Sequence, residues 1–237
     1  MSRLLGTVLV GLAAFVLTGV MSGAIASAHP EPATKPVASK FFAGYLVSKT
    51  KGSLTSATTT VVVPNITCKK SYSGVGPSIV VETKPNKKNV YFVDVAAVGV
   101  GCVKGKPEFE SVLQVNGSSS NDISFAAGDK VTMTVTVTKS RTSVSVDDLT
   151  SGAHKTRTGA GKVGEYAYVG DQGLQINNYK TPLDPFTKTS FSGSEVNHKS
   201  LTAEKAVAYE RKRGKTLLIA VSKLSSGKNF STTFKHS

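Results

Sequence analysis

The feature that most constrains the fold of this chain is a strictly alternating segment near its middle. Residues 130–138 read KVTMTVTVT, with valine or methionine at every odd position from 131 to 137 and threonine between them. Successive side chains of a β-strand point to opposite faces of a sheet, so this period of two predicts a strand with one buried and one solvated face. Residues 141–147 repeat the pattern around Val144 and Val146, and a Leu-Thr-Ser-Gly turn follows at 149–152.

Most of the remaining chain also has β-strand composition. Further strands are predicted at 56–63, 89–100, 109–115, 165–169, 188–191, 216–222 and 229–234. Residues 201–213 contain AEKAVAYERKR, which is read either as a short helix or as a polar excursion ending at Gly214. Short strands separated by Gly, Ser and Asn turns, without alternating helices, predict an all-β sandwich or barrel.

The first 28 residues have the three parts of a secretory signal peptide. Arg3 precedes an apolar stretch at 4–25, which ends in Ala26-Ser27-Ala28. The stretch is about long enough to span a bilayer, but it contains four glycines and no basic cluster follows it. We therefore predict cleavage after Ala28, an extracellular protein without a membrane span, a flexible lead-in at 29–40 and one β domain at 41–237.

Both cysteines, Cys68 and Cys102, follow the predicted signal. An even number of cysteines in an oxidising compartment predicts a disulfide. Free or metal-binding thiols are the alternative, but the chain has no C-x-x-C motif and its four histidines are scattered. Neither a metal site nor a cofactor is expected.

The formal net charge is +14, which favours an anionic partner such as a cell-surface polymer. Basic residues are dispersed along the chain, and one of the densest runs is at 211–213. No nucleic-acid-binding motif accompanies them, so a specific nucleic-acid partner is not expected.

Four segments, taken in order, resemble the eqolisins, the secreted glutamic peptidases. They are FFAGYLV at 41–47, SATTTVVVP at 56–64, AAGDKVTMTVTVTKSRTSVSVDDLTSG at 126–152 and SKLSSGKNFSTTF at 222–234. The resemblance covers about residues 41–234. It implies a concanavalin A-like β-sandwich of two large antiparallel sheets.

The resemblance also implies where a catalytic pair would lie. Eqolisins use a glutamate to activate water and a glutamine to stabilise the oxyanion, roles suited to a carboxylate and an amide. GEYAYVGD at 164–171 places Glu165 at the carboxylate position, although an ordinary strand-edge glutamate is the alternative. AAVGV at 96–100 places Ala97 at the amide position. Gln114 lies too near the Gly128-Asp129 turn to match, and we interpret it as a strand residue rather than a catalytic one.

Two functions remain open from the sequence. The first is a secreted binding protein without peptidase activity, whose cleft holds Ala97, Tyr45, Tyr166 and Tyr168 and takes a peptide, a glycan or an anionic surface. The alternative is an acid-active glutamic endopeptidase that uses Glu165 as general base with an altered oxyanion partner. The side chain that faces Glu165 discriminates between them.

Overall fold

The computed structural model describes residues 35–50, 52–84, 92–173, 175–176, 179–180 and 182–236. The predicted signal peptide and the lead-in up to residue 34 lie outside these residues, as do residues 89–91 of one predicted strand. The described residues form strands and turns with no helix. None of them therefore lies in a helix able to cross a bilayer.

Numbered in chain order, the strands are β1 (Val37–Ser39), β2 (Phe42–Ser48), β3 (Ser56–Val62), β4 (Tyr72–Glu82), β5 (Val93–Val103), β6 (Lys106–Val115), β7 (Ser118–Ser120), β8 (Lys130–Val137), β9 (Arg141–Asp148), β10 (His154–Ala160), β11 (Tyr166–Gly173), β12 (Gln175–Ile176), β13 (Tyr179–Lys180), β14 (Thr189–Val196), β15 (Lys199–Ser200), β16 (Val207–Arg213), β17 (Thr216–Val221) and β18 (Phe230–Phe234).

The strands form two antiparallel layers joined along one side. The hydrogen-bonded order is β10-β9-β8-β3-β14-β18-β17-β16-β2-β11-β4-β5-β6-β7. We call the first seven strands the back sheet and the last seven the front sheet, with the β16–β17 hairpin connecting them. β1 adds a short parallel pairing to β16. The predicted all-β, two-sheet antiparallel sandwich is confirmed.

The two sheets differ in what covers their outer faces. In β8 and β9 exposure alternates along the strand, as the sequence pattern predicted, because one face packs inward and the other meets water. β2, β4 and β5 are instead buried along almost their whole length. Both faces of the front sheet are therefore largely shielded from solvent along these three strands.

The segment 201–213 is not a helix. Residues 201–205 form a turn, and β16 follows from Val207. Val207 and Tyr209 pair with Leu46 and Gly44 of β2. Pairing with a central strand prevails over the helical propensity of this composition, as tertiary context often does.

Polar pairs cross the apolar core between the sheets. The Thr142 hydroxyl of β9 donates to Asp94 of β5 at 2.9 Å. The Thr232 hydroxyl of β18 donates to Asp171 of β11, which is fully buried. Burial raises the pKa of Asp171 from 3.8 to about 7, although its hydroxyl partners and the nearby Arg211 guanidinium act in the opposite direction. Desolvation therefore outweighs pairing at this carboxyl.

The predicted disulfide between Cys68 and Cys102 is confirmed. It joins the segment after β3 to the inner face of β5. Nearby, buried Asp184 accepts hydrogen bonds from the Lys69 and Lys70 amides and the Ser73 hydroxyl. The covalent link and this carboxylate together fix the chain that enters β4.

The two terminal strands of the sheet order approach each other. The Arg157 guanidinium of β10 donates to the Ser118 hydroxyl of β7 at 2.6 Å. The Asn116 amide, in the β6–β7 turn, donates to the carbonyl of Ala160 at the end of β10. The front and back sheets are thus connected on this side by side chains, and on the opposite side by the β16–β17 hairpin.

Candidate functional site

The outer face of the front sheet carries a second apolar cluster, separate from the core between the sheets. We call it the outer-face cluster, and its buried members are Phe42, Leu46, Val80, Val95, Ala97, Val112 and Tyr168. Tyr166, Tyr209 and Val93 pack against it with partial exposure. This is the face on which the structure brings together Ala97, Tyr166 and Tyr168, three of the residues predicted for a cleft.

Strand register places these side chains in rows that cross the sheet. The central row has small residues over most of its length and consists of Gly44, Gly170, Ser78, Ala97 and Val112. The next row is larger and consists of Leu46, Tyr168, Val80, Val95 and Gln114. A third row contains Ser48, Tyr166, Glu82 and Val93. The outer face is therefore a floor of small residues bordered by aromatic and acidic side chains.

Two glycines make the central row possible. Gly44 and Gly170 lie directly opposite each other with φ of +152° and +157°. A Cβ on Gly44 would lie 2.3 Å from the Val169 carbonyl oxygen and 2.9 Å from the Phe42 ring. Only glycine lets β2 and β11 approach this closely with the Phe42 ring lying over them.

The floor is bordered by an aromatic group. The Phe42 ring meets Tyr168 edge-on, with centroids 5.4 Å apart, and lies 6.1 Å from the Tyr209 ring. Tyr166 and Tyr209 are both partly exposed, so they present ring surface and hydroxyl groups to the solvent side of the cluster. Such side chains combine apolar contact area with a polar end, which suits a binding surface.

A partly buried carboxylate accompanies the tyrosines. The Tyr168 hydroxyl donates to Glu82 at 2.8 Å. Burial raises the pKa of Glu82 above its ordinary value, and the hydrogen bond from Tyr168 partly offsets that rise. The pKa of Tyr168 is also raised, first by burial and then by the Glu82 charge. Near neutral pH the Tyr168 hydroxyl therefore keeps its proton and donates a hydrogen bond to the Glu82 carboxylate.

A second carboxylate, on β6, also belongs to the outer face of the front sheet. Glu110 pairs with Gly99, two residue pairs beyond the Ala97–Val112 pair of the central row. Burial raises the pKa of Glu110 from 4.5 to about 7, with Glu108 contributing in the same direction and a hydrogen bond to Asn121 opposing it. The outer face therefore carries two carboxyls with raised pKa values in a chain of strongly positive net charge.

Glu165 lies immediately before β11, beside the end of β4. Its amide donates to the Glu82 carbonyl, while Tyr166 also pairs with Glu82. Two residues opposite one define a β-bulge. The Glu165 carboxylate accepts a hydrogen bond from the Lys84 amide at 3.1 Å. In this position Glu165 caps the end of β4.

The structure does not bring Glu165 and Ala97 together. Ala97 pairs with Ser78, which pairs with Gly170, five residues along β11 from Glu165 and two strands from Ala97. Standard strand dimensions then place the two Cα atoms roughly 19 Å apart. The residues paired with Ala97 are Ser78 and Val112.

Two other predicted residues, Gln114 and Tyr45, lie on opposite faces of the front sheet. Gln114 is on the outer face but three strands from β11; only 3 % of it is exposed, and its Oε1 atom has no partner among the described residues. Tyr45 belongs to the core between the sheets, and its hydroxyl donates to the Ser222 carbonyl at 2.8 Å. Tyr45 therefore does not share a face with Tyr166 and Tyr168.

Sequence reasoning did not identify Glu82 or Glu110. Glu82 ends a strand that is difficult to recognise, because Gly74, Gly76 and Pro77 interrupt it. The sequence does contain one indication of Glu82, because this carboxylate directly follows the apolar run Ile-Val-Val. Within the described part of the chain no group of acidic, histidine or cysteine side chains is arranged to hold a metal ion.

The fold defines the chain as a two-layer antiparallel β-sandwich protein. A family model described as Peptidase A4 family matches residues 40–234. This match covers most of the sequence, and the chain belongs to the Peptidase A4 family. No curated protein sequence matches it.

Several solved structures share the fold. Scytalido-glutamic peptidase with a transition state analog inhibitor has a TM-score of 0.67 at 16 % identity, over 83 % of this chain and 98 % of that one. SCP-B, a member of the Eqolisin family in complex with the tripeptide Ala-Ile-His, has a TM-score of 0.64 at 16 % identity over the same shares. Aspergilloglutamic peptidase from Aspergillus niger has a TM-score of 0.56 at 17 % identity, over 70 % of this chain and 100 % of that one. At these identities the similarity establishes the fold.

Proposed function

We propose that this chain is an exported member of the Peptidase A4 family that binds peptide segments on the outer face of its front sheet without cleaving them. The observation that carries the proposal is the surroundings of Ala97. The residues paired with it offer a serine and a valine, and the Glu165 carboxylate is roughly 19 Å away by strand dimensions. Ala97 offers no amide, so hydrolysis by Glu165 lacks the oxyanion donor that the family resemblance implies at that position.

Peptide is the favoured ligand class for two reasons. The neighbouring structures of the fold hold a transition state analog inhibitor and a tripeptide. The outer face also offers what an extended peptide needs, namely the partly exposed rings of Tyr166 and Tyr209 and the acceptor groups of Glu82 and Glu110. Export is supported by the Cys68–Cys102 disulfide, because such bonds persist in oxidising compartments.

The absence of cleavage is tested with purified protein and a denatured protein substrate between about pH 2 and pH 7, a range that brackets ordinary and raised carboxyl pKa values. We expect no fragments above the background of a heat-inactivated sample. Cleavage that disappears in Glu165→Gln would overturn the proposal and establish a glutamic peptidase with another oxyanion donor.

Binding is tested by passing an unfractionated casein digest over immobilised protein and identifying the retained peptides by mass spectrometry. Tyr166→Ala/Tyr209→Ala should reduce retention, because these two rings form the exposed border of the cluster. Tyr72→Ala is the matched control, since Tyr72 is 45 % exposed and lies outside the cluster. Equal retention by all three proteins would contradict binding at this face.

A further inference from the structure

A cavity lies beside the hairpin that connects the two sheets, away from the outer-face cluster. Its volume is about 510 Å³, which falls in the range of small-molecule sites. The walls are mainly apolar and are formed by Pro36, Tyr45, Ala206, Ala208, Val221 and Leu224. Of these, Tyr45, Ala206, Ala208, Val221 and Leu224 belong to the core between the sheets or pack against it. The cavity therefore opens from the sandwich interior rather than from the front sheet.

The side chains explain why space remains here. Ala206 comes just before β16, and Ala208 is the second residue of that strand. Their small methyl groups leave unfilled volume beside the larger Tyr45. The Tyr45 hydroxyl donates to the Ser222 carbonyl at 2.8 Å, so its proton is already engaged. Burial raises the pKa of Tyr45, which keeps the hydroxyl neutral. The wall formed by Tyr45 and the two alanines therefore carries no charge.

The rim of the cavity, unlike its walls, is positively charged. Lys205 and Lys223 line the opening, are exposed, and have no acidic partner among the residues the structure describes. Glu210 also lines the site, but its carboxylate pairs with Lys212 at 3.4 Å. The mouth of the apolar cavity therefore has two ammonium groups free to meet an anion.

We propose that this cavity binds a small carboxylate with an apolar tail, of the kind represented by medium-chain fatty acids. The tail occupies the space beside Tyr45 and the two alanines, where it leaves water. The carboxylate stays at the mouth, close to Lys205 and Lys223, where it needs only partial desolvation. This site is independent of peptide binding at the front sheet.

The test uses octanoate, decanoate and dodecanoate below their micellar concentrations, with binding measured by isothermal titration calorimetry. Each added methylene that enters the cavity should strengthen binding about fourfold until the space is full. Decanol, which has as many carbon atoms as decanoate but no charge, should bind more weakly. Affinity that does not depend on chain length, or no detectable binding of any member, would overturn the proposal.

Two double lysine variants distinguish binding at the rim from attraction to general surface charge. Lys205→Gln/Lys223→Gln should weaken decanoate binding about 2- to 30-fold, from the range measured for two exposed ion pairs. Lys104→Gln/Lys188→Gln is the matched control, because these lysines are exposed and outside the cavity, and Lys104 shares the positive φ of Lys205. Equal weakening by both pairs would show attraction to net charge and refute the site.

A third variant tests the interior. Ala206→Leu adds bulk to the cavity wall and should abolish the gain from octanoate to dodecanoate, while a folded circular dichroism spectrum confirms the sandwich. If that variant does not fold, the lysine pairs still decide the outcome, because their side chains lie at the surface.

Discussion

Asp171→Asn should change how the stability of this protein depends on pH. Asp171 is fully buried between the sheets, and its pKa rises from 3.8 to about 7 on folding. A carboxyl whose folded pKa is raised contributes stability that is complete below the unfolded pKa and is lost as the pH rises to the folded pKa. The wild-type protein should therefore lose stability at this site between about pH 4 and pH 7.

The size of the effect follows from the shift. One proton taken up on folding corresponds to about 1.4 kcal/mol of unfolding free energy per pH unit. Asparagine keeps an oxygen that can accept the Thr232 hydroxyl, but it does not titrate. Between pH 4.5 and 6.5 the stability of Asp171→Asn relative to wild type should therefore rise by about 2.4 kcal/mol, slightly less than the full slope because titration is incomplete at both ends.

Urea unfolding at pH 4.5, 5.5 and 6.5 measures this difference, and groups common to both proteins cancel. Asp122→Asn controls for the loss of one surface carboxylate. A difference that stays constant over the range would refute the reasoning. It would mean that Asp171 is ionised in the folded protein throughout and that the Arg211 guanidinium compensates for burial.

Three further predictions concern the front sheet and the disulfide. Gly44→Ala should lower the unfolding free energy by about 2–5 kcal/mol through overpacking and backbone strain, whereas Gly105→Ala, which has no atom within 4 Å of its added Cβ, should cost less by the same urea assay. Tyr168→Phe should raise the pKa of Glu82 further and cost about 1–3 kcal/mol at neutral pH, read from unfolding as a function of pH. Cys68→Ser/Cys102→Ser should cost about 3–4 kcal/mol in the chain-entropy account; an unchanged urea midpoint would contradict it.

The strands whose faces the sequence could assign are those with one wet face. β8 and β9 alternate because the back sheet is solvated outside, and their bounds agree closely with the predicted segments. β4 was not predicted, because Pro77 and two glycines are unusual within a central strand. β4 accommodates them in the middle of the front sheet, between β11 and β5.

The candidate site was harder to predict because it depends on register. In a strand buried on both faces the period of two is lost, so β5 did not reveal which of its residues face outward. Placing Ala97 beside Ser78, and Glu165 five residues from that row, requires the pairing of three strands. The family resemblance identified the fold and the disulfide was readable from composition, but neither contains this information.

The closure of the sandwich on both sides bears on how this protein behaves when it is concentrated. A sheet with an open edge offers unpaired amide and carbonyl groups to a strand from another molecule, and such edges are where fibres begin. Here the terminal strands β10 and β7 face each other through Arg157 and Ser118. β7 has three residues, and β10 is polar and carries Lys155 and Arg157. A second copy approaching β10 meets positive charge, and one approaching β7 finds only three residues to pair with. The folded protein should therefore remain monodisperse at concentrations where open-edged sandwiches associate.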